Sequence, residues 1–234
     1  MGKIIDFAAV EAQARAPGVT VAPILDWFDS AEMTAAILRL SQGARHEIKV
    51  PAGSDQYLFV LAGEARLGDQ ALGPRSWALL EERQSFAVSG NAEILSIIVP
   101  PSGTGRGGTG FQGGLKTMAV KDLPVVDLPE ERKQRIYLAT KALATGSERG
   151  HAMIVRYTGE TVTRRHHHPN AESLFVVLDG KVAFTVDGKE RVLGAGEAAF
   201  FPMNDRHGLK SADGRPLSFL ELHIPGIFVT EYDE

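Results

Sequence analysis

The 234-residue chain contains no cysteine. This absence excludes a disulfide framework, a cysteine-ligated zinc site and a thiol nucleophile. The sequence also lacks a signal-like apolar start and any apolar run near the ~18–20 residues that a membrane-spanning helix needs. Basic residues are not in excess, because 25 Lys+Arg stand against 29 Asp+Glu and the formal net charge is −4. We therefore expect a soluble, cytoplasmic protein with neither a nucleic-acid nor a membrane partner.

Helical patterns are scarce, and short apolar runs dominate the chain instead. Runs such as 57–61, 93–99 and 174–178 are rich in Val, Ile, Leu and Phe and are separated by Gly-containing turns. This spacing is typical of a β-sandwich or barrel. Short helices are expected only over residues 5–15 and from Pro129, which precedes two acids. The sequence thus predicts an all-β fold with a few short helices.

A glycine-rich segment divides the chain in two. Residues 101–114 contain seven glycines and almost nothing apolar. They match no phosphate-loop spacing, so we interpret them as a flexible linker. The predicted domains are therefore residues 1–100 and 115–234.

The two predicted domains share an internal repeat. The run 57–63 resembles 174–180, and the run 71–78 resembles 192–199, at offsets of 117 and 121 residues. Recurrence of two runs in the same order predicts two copies of one β-domain.

A histidine cluster lies in the C-terminal copy. In an extended strand His166 and His168 point to one face and His167 points to the other. Glu172 follows after a Pro-Asn turn, and His207 comes 39 residues beyond His168. Three imidazoles and a carboxylate form a donor set suited to a divalent transition metal. A solvated basic patch is the alternative interpretation.

Two linked patterns around these residues resemble the motifs of the cupin superfamily. The pattern similar to the first cupin motif is Gly159-x6-His166-x-His168-x3-Glu172-x7-Gly180, and the pattern similar to the second is Gly196-x5-Pro202-x-Asn204-x2-His207-x3-Ser211. One extra residue precedes His166 and another precedes Gly180, and a β-bulge can absorb each. Asn204 stands where the motif has glycine, and Asn tolerates a left-handed conformation. The resemblance implies that the metal ligands are His166, His168, Glu172 and His207.

The N-terminal copy lacks these ligands. Carrying the offsets back places Lys49, Pro51 and Asp55 at the ligand positions of the first motif and Phe86 at the position of His207. His46 is out of register, and Gln56 lies one residue from the acid position without an accompanying imidazole. The chain therefore resembles a bicupin of two jelly-roll β-barrels, with a degenerate N-terminal barrel. The resemblance implies one divalent metal ion per chain, among Fe, Mn, Ni, Zn or Cu.

Further pocket residues are expected on the strands beside the ligands. Arg164 shares the face of His166 and His168 in a regular strand, where it can grip a carboxylate. Its alternative is a solvated position at a strand start. In the last barrel strand Glu221 and His223 share a face, as an acid/base pair near the metal or as partners of its ligands. Their alternative is a domain interface or solvent.

Aromatic and other large side chains are less informative. His151, at the head of a strand, is expected at the surface, and the two Trp residues of the metal-free half are expected to pack or to mediate dimer contacts. Candidate walls of the pocket, for which core packing is an equal alternative, are Tyr157, Phe184, Phe201 and Met203.

The resemblance implies a metal-dependent enzyme that acts on a small oxygenated or carboxylate-bearing molecule. Dioxygenase-type oxidoreductase chemistry is the leading hypothesis, with Glu172 or a neighbouring carboxylate as the proton acceptor. A metal-dependent isomerase or lyase is an alternative, as is a non-catalytic small-molecule-binding cupin. The resemblance also implies a homodimer, and the apolar run 224–229 beyond the last strand fits that expectation.

Overall fold

Twenty β-strands and two single-turn 3-10 helices make up the regular structure of the computed structural model, which describes residues 1–100, 108–140 and 147–233. The helices are Val120–Asp122 and Pro129–Glu131. The strands are β1 (Lys3–Asp6), β2 (Gln13–Ala16), β3 (Val19–Leu25), β4 (Thr34–Lys49), β5 (Asp55–Leu67), β6 (Gln70–Leu72), β7 (Ser76–Leu80), β8 (Ser85–Val99), β9 (Leu115–Ala119), β10 (Val126–Leu128), β11 (Lys133–Ala139), β12 (His151–Tyr157), β13 (Val162–His167), β14 (Glu172–Asp179), β15 (Val182–Val186), β16 (Lys189–Leu193), β17 (Glu197–Phe201), β18 (His207–Ser211), β19 (Leu217–Ile224) and β20 (Glu231–Tyr232).

The chain divides into two units. The C-terminal unit comprises Met1–Ala9, Pro124–Thr140 and Gly150–Glu234, and the N-terminal unit comprises Val10–Leu123 with the described residues 147–149. These boundaries differ from the predicted 1–100 and 115–234 at both ends. β1 pairs with β17 of the C-terminal unit, and β9 pairs with β7 of the N-terminal unit.

Two antiparallel sheets form the barrel of the C-terminal unit. Their strand orders are β1-β17-β14-β19-β12-β11-β10 and β16-β15-β18-β13-β20. Alternate residues of each strand point inward, and aromatic side chains from both sheets fill the closed end of the barrel. Phe175 of β14 lies 5.4 Å from Phe184 of β15 and 5.9 Å from Phe219 of β19, measured between ring centroids. This apolar layer is the floor on which the candidate site rests.

The N-terminal unit is built on one sheet, of order β2-β3-β4-β8-β5-β7-β9 with β6 against β5. Two glycines allow a close approach of its long strands β5 and β8. Gly63 of β5 and Gly90 of β8 both have positive φ, and a Cβ at either would collide with the backbone of the other strand. Glycine therefore lets the sheet curl around its own apolar core, whose members include Leu58, Val60 and Ile94.

The strand predictions are confirmed, whereas the N-terminal helix prediction is wrong. Lys3–Asp6 and Gln13–Ala16, which overlap the two ends of the helix expected over residues 5–15, are strands, because β-pairing with β17 and β3 satisfies their backbone. Pro129 does begin a helix, but it lasts one turn before β11. Asp187 and Gly188, both with positive φ, form the expected hairpin turn between β15 and β16.

The glycine-rich segment is ordered over the part that the structure describes. Residues 101–107 lie outside the described residues. Beyond them Phe111 is buried and donates its backbone N–H to Asp55, while the N–H groups of Gly113 and Gly114 donate to Glu81. The interpretation of this stretch as a flexible linker therefore does not hold for residues 108–114. In the described ranges, no helix has the length and apolarity to cross a bilayer.

Candidate metal centre

Three imidazoles converge inside the C-terminal barrel. His166 and His168 come from β13 and its end, and His207 begins β18, directly opposite His166 in the antiparallel register. One ring nitrogen from each lies within 4.8 Å of the others, and all three residues are buried. The structure thus brings together the three histidines that the motif spacing singled out.

Each of these histidines is oriented by a backbone carbonyl. The Nδ1–H group of His166 donates to the carbonyl oxygen of Arg164 at 2.8 Å. His168 donates in the same way to the carbonyl of Val229, and His207 to the carbonyl of Asp205, each at 2.9 Å. A proton held on Nδ1 leaves Nε2 as the free lone pair, which is the arrangement of metal-bound histidine. Among the described residues, Nε2 of His168 and of His207 is buried without a hydrogen-bond partner.

Burial keeps these imidazoles neutral. Desolvation, together with the neighbouring histidines, lowers the pKa of His168 to about 4 and that of His207 to about 3. Desolvation also lowers the pKa of His166. Neutral imidazoles with inward-facing lone pairs fit a divalent transition metal, which also accounts for the unpartnered Nε2 atoms.

A β-bulge precedes the first ligand. The pairing of β13 with β18 shifts between Thr163 and His166, so the extra residue expected in the first motif is absorbed there. Because of the shift, Thr163 lines the cavity, whereas Arg164 is exposed and its guanidinium lies 5.0 Å from the ring centroid of Tyr232. The structure therefore places Arg164 outside the cavity, contrary to the strand alternation that suggested it.

Glu172 does not join the three imidazoles. It begins β14 opposite Ile224, whereas the next residue, Ser173, lies opposite the cavity-lining His223. Directly opposed residues share a face of the sheet, so Ser173 points inward and Glu172 points to the other face. The group of converging ligand atoms contains no carboxylate from Glu172. For Glu172 to be a ligand, the turn between His168 and β14 would have to be one residue shorter. With the turn as it is, Ser173 takes the inward position.

Glu221 and His223 both face the cavity, as their alternation predicts. Glu221 Oε1 accepts from His223 Nε2 at 2.8 Å, and His223 Nδ1 lies 2.9 Å from Ser173 Oγ. Burial acts to raise the pKa of Glu221, but the hydrogen bond and charge of His223, with Arg135 nearby, outweigh it and lower that pKa. The result is a hydrogen-bonded chain of three side chains, Ser173, His223 and Glu221, beside the imidazoles.

The cavity lined by His166, His168, Glu221 and His223 has a volume of about 340 Å³. Sequence reasoning missed several of its lining residues because they lie on β11, at the head of β12 and in the segment after β19. They are Lys133, Arg135, Tyr137, His151, Phe228, Thr230 and Tyr232.

His151 is the clearest of these omissions. Expected at the surface, it lies opposite His223 in the register of β12 with β19 and lines the cavity. Its ring is edge-on to Tyr137 and to Phe228, and burial, aided by His223, lowers its pKa to about 4. The alternation of His151 with Met153 on one strand face was the signal available in the sequence.

The segment after β19, residues 226–233, covers the imidazoles and is called here the C-terminal strap. Phe228 stacks on His223 with ring centroids 4.0 Å apart, and Val229 supplies the carbonyl that orients His168. Asn170 fixes the strap from below, donating to Ile227 O and accepting from Val229 N. The strap thus participates directly in the geometry of the candidate centre.

The candidate wall residues divide between the cavity and the core. Tyr157 lines the cavity and its hydroxyl lies 2.6 Å from Thr163 Oγ1. Phe201 stacks on His207 at a centroid distance of 4.2 Å, and Phe184 belongs to the apolar floor. Met203 lies in the turn before β18 and is half-buried.

The ligand positions carried back to the N-terminal unit hold no comparable centre. Lys49 is exposed and pairs with Glu47, and Phe86 packs against the apolar core. Asp55 is buried, where it accepts from Ser147 Oγ and pairs with Arg149. Across residues 1–100, 108–140 and 147–233, His166, His168 and His207 form the one group with metal-binding geometry.

Comparison with known proteins agrees with this geometry. Residues 153–223 match the family model described as a cupin domain. No match to the chain is found among curated proteins.

Several solved structures share the fold of the whole chain. The formate complex of Lactobacillus farciminis oxalate decarboxylase matches with a TM-score of 0.74 and 14% identity over 98% of this chain and 88% of that one. A variant of Bacillus subtilis oxalate decarboxylase matches with a TM-score of 0.73 and 15% identity over 98% and 78%. Another structure of the Bacillus enzyme, from work on its Mn(II) centres, matches at 0.74 and 14% over 98% and 78%. The chain therefore has the fold of a bicupin, with a cupin domain at residues 153–223.

Proposed function

We propose that this bicupin is a metal-dependent enzyme that acts on a small oxygenated or carboxylate-bearing molecule. The observation that carries the proposal is the set of three buried imidazoles, His166, His168 and His207, whose free nitrogens converge inside the C-terminal barrel beside the cavity. Three protein ligands would leave coordination positions open for substrate, as in catalytic rather than structural metal sites. Dioxygenase-type oxidoreductase chemistry is the leading assignment, because open positions beside a nitrogen donor set suit both a substrate oxygen and O₂.

The protein's own groups have defined parts in this proposal. His166, His168 and His207 would hold the ion, which when bound supplies Lewis acidity and, for iron or copper, redox chemistry. Glu221 faces the cavity with one carboxylate oxygen on His223. It can therefore take a proton from a bound substrate while His223 and Ser173 keep it in place. The floor of aromatic residues excludes water from below.

A lyase is the second candidate, and the chain from Ser173 through His223 to Glu221 favours it. A decarboxylation or elimination that uses the metal as a Lewis acid alone needs a proton donor at the reacting carbon. The hydrogen-bonded pair of Glu221 and His223 can supply that proton from inside the cavity. The solved relatives of the fold are named as oxalate decarboxylases, which is the same class of reaction.

The test combines metal analysis with two assays on the full-length chain. Elemental analysis of protein purified without added metal is expected to give close to one equivalent per chain. Oxygen uptake over a panel of diketones, enediols and α-hydroxy acids is compared with carbon dioxide release under anaerobic conditions. Uptake of O₂ that disappears in His207→Ala supports the oxidoreductase, and anaerobic release of carbon dioxide supports the lyase. Absence of metal and of both activities would overturn the enzyme proposal and favour a binding protein.

A homodimer completes the proposal. Ile227 and Val229 of the C-terminal strap are about half exposed, at 54% and 50%. An apolar pair on a surface segment suits burial against a second copy. Sedimentation equilibrium is expected to give twice the chain mass of 25.2 kDa.

A further inference from the structure

We infer that Lys133 and Arg135 form an anion-binding subsite in the metal cavity, selecting substrates that carry one carboxylate on a compact apolar or aromatic body. The inference rests on the proposed function only in that the same cavity is taken to receive the substrate. It assigns to β11 a role that the motif residues on β13 and β18 do not have.

Arg135 brings its guanidinium to the wall of the cavity. Lys133, Arg135 and Tyr137 alternate along β11 and all line the cavity wall. The Nε atom of Arg135 is buried and, within the described part of the chain, has no hydrogen-bond partner. A buried charged donor without an acceptor is costly, and a bidentate carboxylate is the ligand whose geometry satisfies a guanidinium.

Lys133 adds a second cation to the same wall. The residue is only 8% exposed, although lysine is rarely buried this far. Its Nζ lies 3.1 Å from Glu131 Oε2 and 5.7 Å from the ring centroid of Tyr157. Glu131 is itself half exposed, and an ammonium has three donors, so Lys133 retains donors for an incoming anion.

The charges on the wall favour an anion once a metal is bound. Lining carboxylates are Glu131 and Glu221, and lining cations are Lys133 and Arg135, so these four formal charges cancel. A divalent ion leaves the loaded cavity with two positive charges in excess. Glu221 accepts from His223 through one carboxylate oxygen and also lies near Arg135, and its charge is already counted in this balance. A substrate carboxylate reduces this excess in a site where electrostatic interactions are poorly screened.

The other lining residues favour a substrate whose carboxylate is attached to an apolar body. Apolar and aromatic side chains also line the cavity, among them Tyr137, Met153, Val155, Leu209, Phe219 and Phe228. The volume of about 340 Å³ holds roughly ten non-hydrogen atoms when each takes the ~30 Å³ share of a water molecule. Oxalate would fill little more than half of it and would leave the apolar wall wet. Phenylacetate matches both the charge and the volume.

Calorimetric titration of phenylacetate, its neutral isostere phenylacetamide, and oxalate into the full-length chain tests the inference. Each is measured on metal-loaded and on chelator-treated protein. Phenylacetate is expected to bind both forms, and Arg135→Met to weaken it at least tenfold without changing the binding of phenylacetamide. Lys133→Met should have a smaller effect in the same direction. On chelator-treated protein, phenylacetate is expected to bind more tightly than oxalate.

Matched variants keep the result interpretable. Arg156→Met removes an arginine from β12 on the opposite face of the sheet, and it should leave phenylacetate binding unchanged. Arg135→Lys, which retains a cation, should bind phenylacetate with intermediate affinity. It replaces Arg135→Met in the test if that variant is too unstable to measure. Equal affinities in wild type and Arg135→Met, or no phenylacetate binding at all, would overturn the subsite. Tighter binding of oxalate than of phenylacetate would overturn the inference that the substrate has an apolar body. Absence of metal or turnover, with Arg135-dependent phenylacetate binding intact, would count against the proposed function alone.

Discussion

Ser173 and His223 face each other across β14 and β19, with Ser173 Oγ 2.9 Å from His223 Nδ1. A serine therefore occupies the inward position that a carboxylate ligand would take at the start of β14. His223 is held between Ser173 and Glu221, so both of its ring nitrogens are engaged. The candidate centre consequently has three imidazole donors. The carboxylate of Glu221 belongs to a separate hydrogen-bonded set beside them.

The first prediction separates Glu172 from Ser173. Glu172→Gln is expected to retain close to one equivalent of metal, because Glu172 points to the face away from the imidazoles. Ser173→Glu places a carboxylate on the inward face and is expected to raise metal affinity, at the expense of the contact with His223. Competition titration against a chelator measures both. Loss of metal in Glu172→Gln would restore Glu172 to the ligand set.

The second prediction concerns the imidazoles themselves. His166→Ala, His168→Ala and His207→Ala are each expected to weaken metal binding on the order of 100-fold, because one of three donors is removed from a site worth roughly 10 kcal/mol. His167→Ala is the control, since its side chain pairs with Glu231 rather than with the group. Inductively coupled plasma analysis after dialysis gives the stoichiometry. A histidine whose replacement leaves full occupancy is not a ligand.

Sequence motifs anticipated the three imidazoles because the spacing within each motif is local. His166 and His168 alternate on one strand, and His207 follows a short turn in which Asn204 takes the positive φ expected of it. The placement of Arg164 depended on a β-bulge, whose position is set by pairing with β18. A one-residue shift moves every later side chain to the other face.

The remaining wall of the cavity depends on pairing between distant segments. Arg135 and His151 reach the site because β11 and β12 pair beside β19, which follows more than 60 residues later in the chain. His151 has one local signal, its alternation with Met153, whereas no local pattern marks Arg135 as inward-facing. The strap is similarly hidden, since residues 226–233 are nearly all irregular and are placed by side chains such as Asn170. Prediction from one sequence fails where strand register and loop contacts decide which residues line the cavity.

The third prediction concerns the C-terminal strap. Asn170→Ala removes both hydrogen bonds to the strap and so loosens the Val229 carbonyl that orients His168. Metal affinity is expected to fall about tenfold, as when a group that orients a ligand is lost. Asn91→Ala, an exposed asparagine of the N-terminal unit, is the control. Hydrogen exchange of residues 226–233 should rise in Asn170→Ala alone. Unchanged exchange and affinity would show that the strap does not support His168.

The fourth prediction assigns the first strand to the metal-binding barrel. β1 pairs with β17, the strand that ends in Phe201, and Phe201 stacks on His207. Ile5 is 3% exposed in this position. Ile5→Ala is therefore expected to lower the free energy of unfolding by about 2–5 kcal/mol and to weaken metal binding, although residue 5 is more than 150 residues away in sequence from the ligands.

Two measurements check this assignment of β1. Thermal unfolding with and without added metal should show a smaller metal-induced rise in Tm for Ile5→Ala than for wild type, because a barrel whose edge frays binds the ion less tightly. Glu11→Ala, at an exposed position between β1 and β2, should match wild type in both respects. If Ile5→Ala loses stability but keeps wild-type metal affinity, β1 stabilises the sheet without supporting His207 through Phe201. If a fragment of residues 115–234 binds metal as tightly as the full chain, β1 has no part in the centre at all.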